Sequence, residues 1–92
     1  SANGYLEVTI LITPKGNIHN SPITTFRGLP VYEKEEFTYG LEDVIEKTTK
    51  SFKLGNKKQE HNLIDALKIA CRKFTKEKTG KKPFTNINLV NI

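Results

Sequence analysis

The sequence predicts an α+β domain: a small three-stranded, mainly antiparallel sheet covered on one face by two α-helices, in the order β-β-α-α-β. Stretches of period-two hydrophobicity stand at both ends of the chain, and between them two stretches carry apolar residues at three-and-four spacing. Size sets the scale, since 92 residues allow one domain with a modest core.

"YLEVTILIT" is the clearest strand. Leu6, Val8, Ile10 and Ile12 share one face, and Glu7, Thr9 and Thr13 share the other. "PKGN" supplies a turn. The next extended run, "PITTFRGLPVY", is broken by Gly28 and Pro30, and it is expected to pair with the first through a loop containing His19 and Asn20. Glu33, Glu35 and Glu36 then open a helical pattern in which Phe37, Leu41, Val44, Ile45, Thr48 and Phe52 recur on one side. Lys47, Lys50 and Lys53 suit its C-terminal pole, and Gly55 is the expected left-handed stop.

A second helix restarts at Asn56 or soon after it, with Leu63, Leu67, Ala70, Cys71 and Phe74 as its core stripe and Ile64 at the margin. Ile69 points away from that stripe. Gly80 and Pro83 close the helix, and "PFTNINLVNI" reads as the third strand. Ile87 and Leu89 share one of its faces, while Phe84, Val90 and Ile92 share the other. A strand apolar on both faces is either interior or docked against something outside the fold. Ile69, Ile87, Leu89, Val90 and Ile92 are therefore the candidate core or contact residues.

Hydrophobic content of 36% with 27% charged residues is that of a folded domain. No apolar run has the length of a membrane span or the layout of a signal peptide, so no membrane partner is expected. Residues 1–92 read as a single domain, and Ser1-Ala2-Asn3 at its start read as appended residues on a piece excised from something longer. Cys71 is the only cysteine and can form no internal disulfide, which favours a reducing, cytoplasmic setting. On a core stripe it behaves as a small hydrophobe. His19 and His61 lack Cys or carboxylate partners at metal-ligand spacing. No phosphate-cradling glycine loop or nucleophile elbow is present. The pairs Glu35-Glu36 and Glu42-Asp43 are assigned to helix electrostatics. Neither a cofactor nor a catalytic residue is expected within the chain.

Charge is unevenly spread. Residues 56–82 carry nine Lys or Arg against Glu60, Asp65 and Glu77, whereas residues 1–55 carry six basic and seven acidic groups. Lys68, Arg72 and Lys76 stand together on the outer face of the second helix, and Lys81-Lys82 follow its end. These five are the candidate contacts of an alternative reading, a stand-alone basic RNA-binding module. Two features weigh against it. Thirteen of the fifteen basic residues are Lys, which lacks the forked donors of Arg. Lysines at a helix C-terminus also stabilise its free carbonyls.

Two stretches resemble a known family. "GYLEVTILITPKGNIHNSPITTFRG" is similar to the hairpin that opens the C-terminal domain of ribonuclease J, with Pro22, Arg27 and Gly28 at the positions of its "GP-x-I-I-S-R-G-F" segment. "LIDALKIACRKFTKEKTGKKPFTNINLVNI" is similar to the family's terminal helix, "TGRRP" junction and closing strand, with Thr79, Gly80, Lys81, Lys82 and Pro83 carrying the match. The resemblance implies a non-catalytic domain of a cytoplasmic, zinc-dependent exo- and endoribonuclease of the metallo-β-lactamase/β-CASP type. The zinc and the catalytic residues would lie in the preceding domains. The implied role is subunit association or docking on those domains in support of RNA processing and decay, with RNA met through the parent enzyme. Lys81-Lys82 replace the family's Arg-Arg, Leu29-Pro30 replace its aromatic residue, and Asn86, Asn88 and Asn91 enter its apolar closing strand.

Overall fold

In the computed structural model, which describes residues 3–92, the elements are β1 (Tyr5–Ile12), β2 (Ile18–Arg27), α1 (Lys34–Thr49), α2 (Lys57–Thr79) and β3 (Phe84–Asn91). Ser1 and Ala2, which open the expected appended stub, lie outside the described residues. The order β-β-α-α-β and the α+β class are those the sequence predicts. The sheet runs β2-β1-β3. The ladder between β1 and β2 is antiparallel, and β3 lies parallel to β1. The two helices form the crossover that brings the chain back to the far edge of the sheet.

Strand β1 sits at the centre because its alternation is complete. Leu6, Val8, Ile10 and Ile12 are fully buried beneath the helices. Phe37, Leu41 and Ile45 of α1 meet them from above, with Leu63, Leu67 and Cys71 of α2 and Ile87 of β3. Helix α1 lies over the β2 side and α2 over the β3 side.

The hairpin turn is shorter than expected. It spans residues 13–17, closed by Thr13 N–H to Asn17 O at 2.8 Å and Gly16 N–H to Thr13 O at 2.9 Å. His19 and Asn20 belong to β2 instead of the loop. The pairing shifts between Thr9 and Leu11, which face Ile23 and His19, and Asn20 turns left-handed there with φ 60°. Extra residues on one strand make a bulge, and Pro22 falls in this stretch, where an edge strand tolerates a missing donor.

Helix α1 also ends earlier than its apolar pattern suggests. It stops at Thr49, whose hydroxyl donates back to Ile45 O at 2.7 Å. Phe52 and Leu54 still pack on the core, but from the connecting segment. Gly55, with φ 92°, lies in that segment and not at the helix end. Its N–H donates to Glu60 Oε2 at 2.6 Å, while Asn56 Oδ1 accepts Gln59 N–H at 3.0 Å. Those two bonds satisfy donors on either side of the α2 start. At the other end, Gly80 is a left-handed cap with φ 80°, its N–H bonded to Lys76 O at 2.8 Å.

Candidate functional site

The helices cover only one side of the sheet. The other side is ordered by the register into four cross-strand rows: Arg27–Tyr5–Phe84, Thr25–Glu7–Asn86, Ile23–Thr9–Asn88 and His19–Leu11–Val90. Phe84 is 67% exposed, Ile23 55% and Val90 41%. These exposed apolar residues sit in three different rows of the face.

The centre of this face is polar and already bonded. Glu7 Oε2 accepts from Asn86 Nδ2 at 3.0 Å and from Asn88 Nδ2 at 3.3 Å. Asn88 Nδ2 also donates to Thr9 Oγ1 at 3.3 Å. The two asparagine amides hold the Glu7 carboxyl below its ordinary value. Partial desolvation, and then the Glu7 charge, push the Tyr5 phenol up. Beyond this centre, Tyr5 stacks on Phe84 with ring centroids 6.0 Å apart and planes 11° off parallel. Leu11, Val90 and Ile23 lie towards the other end. The bonds among Glu7, Asn86, Asn88 and Thr9 satisfy polar groups at the middle of the face in advance, which lowers the cost of covering them.

Glu7 makes acid stability testable. A carboxyl whose folded value lies below its ordinary 4.5 adds stability that is present above that value and lost as pH falls through the folded one. Urea unfolding of the Glu7→Gln variant is expected to show a flatter acid arm than the parent chain. The two should converge once the carboxyl is protonated in both states.

The five candidate contact residues divide among three places. Ile87 is buried and Leu89 half-buried, both on the helix side. Val90 belongs to the open face, and Ile92, 54% exposed, follows β3 with its N–H bonded to Ile12 O at 2.9 Å. Ile69 is 72% exposed on the outside of α2, in the opposite layer of the domain. It forms no common surface with Val90.

The candidate RNA contacts also separate. Lys68, Arg72 and Lys76 are exposed along α2 and in no ion pair among the described residues. Lys76 Nζ instead bonds Gly80 O at 3.2 Å, as a helix-end lysine does. Lys82 is exposed. Lys81 reaches across the fold, its Nζ donating to Gly28 O at 3.2 Å.

That bond joins the two segments on which the family resemblance rests. Thr79 Oγ1 bonds Thr75 O at 2.8 Å and accepts the Lys81 N–H at 3.2 Å. Pro83 is fully buried. Arg27 and Gly28 from the hairpin and Thr79 to Pro83 from the helix end therefore meet at one corner, which ties the end of β2 to the start of β3. Arg27, Gly28 and Thr79 to Pro83 thus form a structural joint, whereas Pro22 lies apart in the β2 bulge.

Among the described residues, no group of three His, Cys, Asp or Glu could hold a metal ion, so this donor set does not fit zinc. Burial pushes the Cys71 thiol up to about 12, which leaves it protonated and unreactive. Among the described residues, no helix is long and apolar enough to cross a membrane.

The fold and this face define an α+β sheet-and-helix domain with one side of its sheet left bare. The chain belongs to the ribonuclease J C-terminal domain family, whose model matches residues 1–91. No curated protein matches it.

Proposed function

We propose that the chain is a non-catalytic C-terminal module of a ribonuclease J-like, zinc-dependent ribonuclease, and that it works in the cytoplasm by self-association or by docking on the parent's catalytic domains. The parent would be the hydrolase and would supply both the zinc and the contact with RNA. The observation that carries this reading is the open sheet face, with Phe84, Ile23 and Val90 exposed around the bonded Glu7–Asn86–Asn88 centre.

Strands about 4.8 Å apart and alternate residues about 6.8 Å apart give this face a footprint of roughly 300 Å². A standard interface takes about 800 Å² from each partner. Association through the face alone is therefore weak, and it strengthens when the parent's other domains add area. Light scattering over rising concentration is expected to show the mass climbing above the 10.4 kDa of one chain. The double variant Phe84→Glu, Val90→Glu should hold at the monomer mass with an unchanged circular dichroism spectrum. Identical mass profiles for the two proteins would sink the sheet-face assignment. Loss of neither assembly nor ribonuclease activity when the domain is deleted from the parent would sink the role itself.

The stripe Lys68–Arg72–Lys76 supports a second reading, direct RNA contact. Neutralised phosphates give affinity that falls steeply with salt, so short RNA titrated against the same samples separates the two. No anisotropy change at low salt removes the RNA reading.

A further inference from the structure

A groove opens at the end of the helix layer, away from the open sheet face, between the first turns of α1 and the last turns of α2. It encloses about 860 Å³, within the range of sites that take several side chains at once. Its floor is aromatic: Phe37 is buried, and its ring lies 5.6 Å from that of the half-buried Phe74. Gly40 makes this approach possible, because a Cβ there would stand 2.6 Å from Phe74 Cζ. The walls carry two tyrosines that the core does not use, Tyr39 at 65% and Tyr32 at 92% exposure.

The rim has the opposite charge to the rest of the molecule. Glu33, Glu35 and Glu36 line it against one lysine, Lys78, in a chain whose net charge is +5. None of the three carboxylates is in an ion pair among the described residues. Lys78 is drawn inward instead, its Nζ lying over the Phe74 ring at 5.7 Å. The three carboxylates suit the N-terminal pole of α1, but that role does not account for tyrosines left bare beside them. Phosphate would be repelled here, and a cationic chain would be attracted.

We infer that this groove docks a proline-rich peptide segment that carries arginine or lysine at one end. Bare tyrosines over an apolar floor give flat surfaces on which the rings of a polyproline II segment stack, and that conformation costs little entropy to fix. The carboxylates of Glu33, Glu35 and Glu36 then take the cationic end and set its direction in the groove. This occupant is distinct from whatever covers the sheet face.

The test uses the 92-residue domain and a synthetic probe, a seven-residue peptide of alternating proline and leucine ending in two arginines. A second peptide carries glutamates in place of the arginines. Amide shifts on titration are expected at Tyr32, Tyr39, Gly40 and Phe74, with a dissociation constant at or below about 1 mM, the scale of a weak single-segment contact. Tyr39→Ala should weaken binding roughly tenfold, as truncation of an aromatic anchor does. Glu35→Lys with Glu36→Lys should weaken the arginine peptide several-fold and favour the glutamate peptide. Both variants alter exposed side chains, so their spectra should otherwise match the parent's. The inference is overturned if neither peptide shifts these residues, or if Tyr39→Ala leaves the affinity unchanged. It also fails if Tyr39→Ala alters the domain's own mass in solution, since the groove would then be a contact between copies. Failure of the sheet-face reading would leave these readouts untouched.

Discussion

Gly4→Val is expected to lower the unfolding free energy by about 2–5 kcal/mol, combining left-handed strain with overpacking. Gly4 is buried and adopts φ 83°, where a β-branched residue is a conformational outlier. Space is lacking as well. A Cβ at this position would sit 2.6 Å from Leu29 Cδ2 and 3.0 Å from the carbonyl oxygens of both Arg27 and Gly28. The leucine could swing away, but the two carbonyls belong to the corner that Lys81 Nζ ties to Gly28 O. Gly4 O also accepts the Phe84 N–H at 3.0 Å, the bond that sets β3 beside β1. A shift at residue 4 therefore passes to both neighbours of the central strand. Urea denaturation measures the loss. Gly4→Ala, which keeps the φ strain without the branched side chain, should fall between the two.

The order of elements was legible because each carries its own period or cap. β1 alternates over its whole length, and Asn56 and Gly80 bracket α2 with the chemistry that starts and stops a helix. What the sequence hid is mostly geometry set by distant partners. The run of β2 through His19 and Asn20 escapes a period-two reading because the bulge breaks the alternation. Helix α1 looks longer than it is because Phe52 remains apolar for the core while sitting in the connection. Thr75 is fully buried where Phe74 seemed the natural core residue. Its hydroxyl bonds Cys71 O at 2.8 Å and so hides its polarity within the helix's own backbone. The direction of β3 has no local signal at all, since it follows from the crossover of two helices.

The open face was half legible. Phe84, Val90 and Ile92 fall on one parity of the last strand, and the structure sets them on or beside the uncovered side. The role of the asparagines was not legible. Asn86 and Asn88 look like polar interruptions of an apolar strand until Glu7, 79 and 81 residues away, accepts from both. Tyr32 and Tyr39 gave no signal for the same reason. Their significance depends on Phe74 and Lys78 from the far end of α2, and only packing brings those together. The basic residues do not act alike in the structure. Lys76 and Lys81 are engaged with backbone carbonyls, and a helical wheel cannot reveal such bonds.

Leu67→Ala is the second large effect expected, about 3 kcal/mol within the 2–5 kcal/mol range for emptying a buried leucine site. Leu67 is fully buried at the middle of α2, in the cluster shared by the buried face of β1, Leu41 and Ile45 of α1 and Cys71 one turn further on. Neighbours from two layers hold this site open, so it collapses poorly when the side chain is cut back. For a domain of this length each kcal/mol moves the melting temperature by about 4–8 °C, so the variant should melt about 12–24 °C lower. Ile69→Ala is the control. It removes a side chain of the same size two residues away on the same helix, yet Ile69 is 72% exposed, and surface changes of this kind stay within about 0.5 kcal/mol. Alanine's better helix propensity offsets the loss, so the control is expected to melt at or slightly above the parent's temperature. Equal destabilisation by the two substitutions, measured by calorimetry, would mean that α2 buries a different face from the one described. A large effect of Leu67→Ala alone would fix the rotation of α2, and with it which side of the helix layer presents Lys68, Arg72 and the groove to solvent.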